Sequence, residues 1–385
     1  MILIINDHSI VEGGASKVAI TQAKDLLKEN KSVIFFSTYE TNCFNDIKNN
    51  TNFIHETFFW RDNIFFSFFN MLFNISAFMK LRNILNKHQI TNIYVHSWSK
   101  KLSPSIFLAL KNNFFHMFLH DYFLSCPNGG LYNFQKKEHC QLRPLSISCV
   151  TSNCDKRNYL HKVFRVIRQF IYKLCISGSN TEYIFLSERQ KNIINLSGPV
   201  LRNKIETVDI SERYSFEFNN DILFLGRLDP EKGIAAFLDL DISKKHIINV
   251  VGDGMLKSDL SSKSHVSIKG WLDFNDAMIE AKKNRFAIFT SVWHEVDPLT
   301  PWELMAAGMP VLTSDNNLFG QELKHIFPEL VFSFDDVAGI ESKINQLNND
   351  KFFKELSYRI YEFSRSEITK RNSNWKKFIK NENLY

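Results

Sequence analysis

The sequence predicts an α/β protein of two domains, each a parallel sheet with helices on its faces. Three observations carry that expectation. The chain has 385 residues, too many for one ordinary core and suited to two of roughly 150–200 residues each. Short apolar runs alternate with helix-compatible stretches in both halves, the pattern of a parallel sheet covered by helices. A Gly-Pro step opens a polar, irregular stretch from Ser197 to Asn220, as interdomain linkers do.

Taken in order, the first half offers strands at Ile2–Asn6, Ser32–Thr38, Asn92–Ser97, Phe114–Leu119 and Tyr183–Ser187. A helix is expected over Ala15–Glu29, where apolar residues recur at three- and four-residue spacing. The second half offers strands at Asp221–Leu225, His246–Val251, His265–Lys269, Phe286–Ser291, Pro310–Ser314 and Leu330–Phe334. The domains are therefore placed at 1–200 and 201–366. A polar, helix-compatible tail follows at 367–385, with Trp375 and Phe378 as its apolar anchors. Open α/β sheets bind ligands at the carboxyl ends of their strands, so the expected active site is a cleft between the two domains.

Composition narrows the class. Hydrophobic residues make up 44% and charged residues 23%, as in an ordinary globular chain. The outlier is phenylalanine, with 36 copies, which implies a heavily aromatic core or an apolar surface that meets a partner. A formal charge of +6 suits anionic membrane surfaces, anionic substrates or simply an ordinary basic surface, and does not by itself imply nucleic-acid binding. No window supplies the roughly 20 apolar residues of a spanning helix, and nothing resembles a secretion signal. Six cysteines without such a signal point to a reducing cytoplasm. The expected location is cytoplasmic, with the inner face of a membrane as a peripheral partner.

Four segments can carry chemistry. In the first, His294-Glu295-Val-Asp-Pro-Leu299-Thr300-Pro301-Trp-Glu303, Glu295 follows a strand and Glu303 falls in the opening turn of a helix. Carboxylates suit polyols because each offers several acceptor sites, and helix-start N–H groups take phosphate oxygens. Thr300 and Glu303 also have capping-box spacing with Pro301 at the first helical position, so Glu303 as a mere cap stays open. In the second segment, Gly226-Arg227-Leu-Asp229-Pro230-Glu231-Lys232-Gly233, Asp229-Pro230 is expected to start a helix with Lys232 in its first turn. There the dipole disfavours a cation, unless a diphosphate lies between Arg227 and Lys232. Local pairing of the cations with Asp229 and Glu231 is the alternative. Third, Gly13-Gly14 between the first strand and helix permits close backbone approach to an anion or sugar, or is a plain tight turn. Fourth, His120-Asp121 ends a strand, where His120 can meet a sugar hydroxyl while Asp121 orients it, or can be a satisfied core histidine.

Three further features stand out in the sequence. Asp239 and Asp241 have metal-pair spacing but lack a supporting ligand, and read as solvated surface. Cys126, Cys140, Cys149 and Cys154 cluster in a loop-rich stretch. Four thiolates can hold a structural Zn²⁺, although the paired Cys-x-x-Cys spacing of common zinc modules is missing. The stretch Phe58-Phe-Trp60-Arg61 through Phe65, Phe68, Phe69, Met71, Leu72, Phe73 and Phe78 ends in Lys80 and Arg82. A helix there suits a membrane interface, a lipid-linked acceptor, or burial against the first sheet.

Together these residues resemble the retaining GT-B glycosyltransferases of family four, the glycosyl transferases group 1. The matching pieces are Gly13-Gly14, His120-Asp121, Gly226-Arg227-Leu228 with Pro230-Glu231-Lys232-Gly233, Gly252-Asp253-Gly254, and Glu295/Glu303 through Gly308. They span nearly the whole chain in the family's order. The resemblance implies two Rossmann-like domains, with the C-terminal helix returning to the first. It implies a nucleotide-diphosphate-sugar donor with Arg227 and Lys232 on the diphosphate, Glu295 on the sugar and Glu303 on the ribose. Leu299 and Thr300 would lie in the donor loop, Trp271 at the base, and His120 beside the sugar on the acceptor side. It implies retention, no metal and no cofactor beyond the donor. By analogy the acceptor is a glycan or polyprenyl-linked molecule of bacterial surface polysaccharide synthesis. The segment Val296-Asp-Pro-Leu-Thr300 departs from the family's glycine-containing, aromatic turn. An NAD-type oxidoreductase and a non-catalytic sugar-nucleotide-binding membrane protein are the competing readings. The incomplete glycine fingerprint counts against the first, and the full set of contacting residues against the second.

Overall fold

The computed structural model describes residues 1–40, 43–60, 64–207 and 220–380, without the side chains of 64–66. The chain divides into two units, Met1–Asn203 with Asn374–Tyr385, and Lys204–Ser373.

The N-terminal unit holds strands β1 (Ile2–Ile5), β2 (Val33–Thr38), β3 (Phe53–Phe58), β4 (Asn92–Val95), β5 (Phe114–Phe118), a hairpin of β6 (Tyr132–Asn133) and β7 (Glu138–His139), and β8 (Asn180–Ile184). Six of them form one parallel sheet in the order β3-β2-β1-β4-β5-β8. Leu3, Ile4, Ile5 and Val33 through Phe36 are fully buried, the continuous apolar signature of central strands covered on both faces. The helix Gly14–Lys28 buries Val18, Ala19, Ala23 and Leu26. Chain order reverses between β1 and β4, which is where such sheets bind ligands. Trp375, near the end of the chain, is buried in this unit and donates from Nε1 to Asp25 at 3.0 Å. The ring of Phe378 packs at 5.7 Å from that of Phe118.

Two expectations need correction here. The last strand sits at Asn180–Ile184 rather than Tyr183–Ser187. As an edge strand it tolerates polar residues, and Ser187 instead caps the next helix by accepting from Gln190 N–H. The aromatic stretch is not one helix. Phe58 ends β3, which the sequence reading missed, and two helices follow at Ile64–Leu72 and Ile75–Lys87. The second starts where Asn74 accepts from Ala77 N–H at 3.0 Å. Arg61 and the Phe65 side chain lie outside the described residues.

The C-terminal unit holds β9 (Ile222–Leu225), β10 (Ile248–Val251), β11 (Val266–Gly270), β12 (Phe286–Phe289), β13 (Val311–Ser314) and β14 (Val331–Phe332). They form a second parallel sheet in the order β11-β10-β9-β12-β13-β14, the same winding, with its reversal between β9 and β12. All six were expected, each within a few residues. Most of the linker stretch, 208–219, lies outside the described residues.

Candidate functional site

In the C-terminal unit the site residues gather where β9 and β12 end side by side. Leaving β9, Gly226–Leu228 lies against the turn after β10. A Cβ on Gly252 (φ +146°) would come within 1.9 Å of the Gly226 oxygen, so glycine is required for the two backbones to meet.

The expected helix start at Asp229-Pro230 is a single 3₁₀ turn, Pro230–Lys232, and the α-helix begins only at Ile234. The reason lies just past the end of β12. Thr290 Oγ1 donates to the Lys232 carbonyl at 2.8 Å, while Ser291 Oγ and Val292 N–H both donate to the Glu231 carbonyl. Gly233 then turns the chain at φ +69°, where a Cβ would meet Thr290 O at 2.0 Å. Lys232 therefore closes a turn instead of opening a helix, and the dipole argument does not apply to it. Its position is set by Glu295: Nζ donates to Glu295 Oε1 at 2.5 Å, and Ser291 Oγ donates to the same oxygen at 2.6 Å.

Burial pushes the Glu295 carboxyl up, but the Lys232 charge and the hydrogen bonds from Lys232, Ser291 and Trp293 outweigh it and hold the group below its ordinary value. Arg227 pairs with Asp229 at 2.5 Å and Glu231 at 3.3 Å, the local pairing that the sequence left open.

Thr300 is not the N-cap that a Thr300/Glu303 capping box would need. The helix runs from Leu299 to Ala306 and its N-cap, Pro298, makes no side-chain cap bond. Pro301 sits at the third helical position, tolerated because first-turn N–H groups have no intrahelical partner. Leu299 and Glu303 are buried and Thr300 half-buried. Two residues unread in the sequence brace this loop. Asp297 accepts from Arg371 Nη1 at 3.1 Å, and the Arg371 guanidinium lies 4.1 Å above the Trp302 ring. Trp271 follows β11 with its side chain 52% exposed, open to stacking. Asp239 and Asp241 are exposed and paired with Lys263 and Lys244, as a solvated surface should be.

The N-terminal unit carries the other expected residues. Gly13 precedes the helix Gly14–Lys28, and a Cβ there would meet nothing within 4 Å. The fold itself does not demand that glycine. His120 is oriented by His96, not by Asp121 as expected. His96 Nε2 meets Gln22 Oε1 at 2.6 Å, and its Nδ1 meets His120 Nε2 at 2.9 Å. The Gln22 oxygen only accepts, so the His96 proton sits on Nε2, its Nδ1 accepts, and His120 donates from Nε2. Burial, helped by the neighbouring His120, holds the His96 pKa well below its ordinary value. Asp121 accepts from Phe123 N–H at 2.9 Å, and burial pushes its carboxyl up to about 7.

Sequence reasoning also missed the polar residues beyond β1 and β2. Asp7 takes the N–H groups of Lys100, Lys101 and Leu102. Glu40 meets His8 Nδ1 at 2.8 Å, Ser9 N–H at 2.6 Å and Lys101 at 3.1 Å. Burial raises the Glu40 pKa, but these hydrogen bonds prevail and it falls to about 2. The available signal was an unbroken polar run, Asn6 through Ser9, directly after a strand.

Comparison with known proteins bears on the fold and on the C-terminal domain. Residues 209–367 match the family model for glycosyl transferases group 1. HepE of Anabaena, solved with UDP-glucose, superposes with a TM-score of 0.67 at 13% identity, covering 99% of either chain. WaaG, a glycosyltransferase of lipopolysaccharide biosynthesis, gives 0.65 at 13% identity over 98% of this chain and 99% of its own. Sucrose-phosphate synthase from Thermosynechococcus elongatus gives 0.66 at 15% identity, over 95% and 94%. No curated protein matches in sequence. At such identities the likeness shows the fold, which is GT-B, and the domain match marks the chain as a glycosyltransferase.

Proposed function

We propose that this glycosyltransferase, with its group 1 domain, transfers a sugar from a nucleotide-diphosphate sugar to a glycan or polyprenyl-linked acceptor in bacterial surface polysaccharide synthesis. The observation that carries the reading is the Lys232–Glu295 pair at the switch point of the second sheet, with Arg227 one turn away. Both cations are held by carboxylates, and a diphosphate is the stronger anion for them. Its arrival would draw Arg227 and Lys232 onto phosphate oxygens and free Glu295 for the donor sugar's hydroxyls. Glu303 is assigned the ribose and Trp271 the base, while Leu299 and Thr300 bring helix-start N–H groups toward phosphate.

The same two cations offset charge developing on the leaving diphosphate, so the reading requires no metal and no cofactor. The acceptor belongs to the N-terminal unit, at Gly13, Gly14 and His120. We assign a front-face displacement with retention: the acceptor oxygen bonds to the anomeric carbon as the bond to the diphosphate breaks. The leaving phosphate oxygen takes the acceptor's proton.

A membrane-associated acceptor is supported by exposed apolar residues. Phe68 and Phe69 project from the helix Ile64–Leu72. Leu160, Ile167, Phe170 and Leu174 mark one stripe of the helix Tyr159–Ile176, with Leu174 78% exposed. Such a stripe beside Lys173 suits the inner face of an anionic membrane, although no helix among the described residues is long and apolar enough to cross one.

The test is release of free nucleoside diphosphate from a panel of donors, with polyprenyl-phosphate-linked acceptors. The reading expects turnover with one donor, cut about 10²–10³-fold in Lys232→Ala. Turnover near the wild-type rate in the variant would refute this assignment of the site.

A further inference from the structure

We propose that Cys126, Cys140, Cys149 and Cys154 form a site for one thiophilic divalent cation of the zinc class, with Lys162 as its charge partner. All four cysteines and Lys162 line a single cavity of 10 Å³, room for about one water-sized particle. The cysteines arrive from four separate places: the turn after β5, the residue after β7, the short helix Ile147–Thr151, and the loop before the helix Tyr159–Ile176. Every one is a free thiol.

Lys162 is the second observation. It is fully buried, and its ammonium points into the sulfurs, 3.2 Å from Cys154 Sγ and 3.7 Å from Cys149 Sγ. Asn128 Nδ2 adds a third N–H at 3.0 Å from Cys154. A buried ammonium needs an anion, and neutral thiols supply none. Four thiols binding a dication release four protons and leave a cluster of charge minus two. Lys162 offsets half of that charge, and the N–H···S bonds are the outer-shell support that thiolate metal sites use.

The third observation is the backbone. Residues 119–158 contain only β6, β7 and one five-residue helix, a long connection for so little regular structure. Leu131, Lys137 and Leu145 hold left-handed conformations within it, at φ 50°, 56° and 58°, which persist only where the surroundings fix them. One metal joining four points along it would do so.

The sulfurs are not drawn into a closed cage. Among the described residues the group of ligand atoms within 4.8 Å of one another is His8, Glu12 and Glu40, and there Glu40 is already occupied by Lys101 and two backbone N–H groups. Tetrahedral coordination needs sulfurs about 3.8 Å apart, so binding would involve χ1 rotation of cysteines that already share one cavity.

The experiment is metal analysis of the full chain purified under reducing conditions, followed by replacement with Co²⁺. The proposal expects about one zinc per chain, and a Co²⁺ spectrum with sulfur-to-metal charge transfer and tetrahedral bands. Lys162→Met is expected to lose zinc to a chelator several-fold faster than Lys162→Arg. Should Cys154→Ser not fold, the wild-type Co²⁺ spectrum alone decides. A chain that refolds without metal and takes up neither ion would overturn the proposal. So would an intact mass raised by one oxygen less two hydrogens, which would signal an oxidised Lys–Cys cross-link instead.

Discussion

The two sheets share one strand order, yet the polar groups at their switch points are built in opposite ways. In the C-terminal unit the site is a set of formal charges: Arg227 on Asp229 and Glu231, and Lys232 on Glu295. In the N-terminal unit its centre is a hydrogen-bonded relay, Gln22 to His96 to His120, drawn from a helix and the ends of two strands. Paired charges answer a charged ligand by exchanging partners. A relay centred on the buried His96, whose pKa is held well below its ordinary value, cannot do that, but it fixes His120 Nε2 as a donor. On the proposed function, affinity for an anionic donor would belong to the first arrangement and orientation of a neutral hydroxyl to the second.

The largest effect should come from breaking the charged half. Lys232→Ala leaves Glu295 buried beside no ammonium, which costs about 3 kcal/mol or more of stability. It should also lower kcat by about 10²–10³-fold. Denaturant unfolding and steady-state kinetics check the two separately. His96→Leu attacks the relay. It removes the acceptor for His120 Nε2–H, so kcat should drop by roughly 10²-fold while nucleotide-sugar affinity stays as in wild type. A matching loss of donor affinity would dissolve the contrast between the two halves.

A pH experiment sharpens the contrast further. Asp121 carries a folded pKa of about 7 against an ordinary 3.8. The folded chain therefore binds more protons than the unfolded one between those values, and stability falls as pH rises through that window. Glu40, at about 2 against 4.5, has the opposite sign: its contribution is present above 4.5 and lost as pH falls toward 2. Asp121→Asn should flatten the stability profile between about pH 4 and 7, by on the order of 2 kcal/mol, and leave the acid limb intact. An unchanged slope in urea titrations would contradict this placement of Asp121. The smallest effect is at the surface. Phe69→Ser with Leu174→Ser should weaken binding to anionic liposomes by roughly 1 kcal/mol per residue with Tm unmoved. A lowered Tm would show these side chains belong to the core.

The charged half was the legible one, because its residues lie in short motifs beside strand ends. Gly226 through Gly233 could be read in one glance, as could Glu295 through Glu303. Local geometry within them was less legible: Lys232 closes a 3₁₀ turn because Thr290 and Ser291, some sixty positions away, donate to the Lys232 and Glu231 carbonyls. The relay was nearly invisible, since Gln22 and His96 are separated by 74 positions and neither residue type announces a site. β3 was missed for a related reason. Its last residue, Phe58, opens an aromatic run, and phenylalanine spacing does not separate an edge strand from an interfacial helix.

Binding of a nucleotide-diphosphate sugar at the charged site of the C-terminal unit is tested most directly by a thermal-shift panel of nucleotide-diphosphate sugars, free nucleotides and NAD, with chelator present, on wild type and Glu303→Ala. One nucleotide sugar is expected to raise Tm in wild type, because a ligand stabilises the state it binds, and the shift is expected to shrink in the variant. A shift with NAD alone, or none with any nucleotide sugar, would contradict that binding.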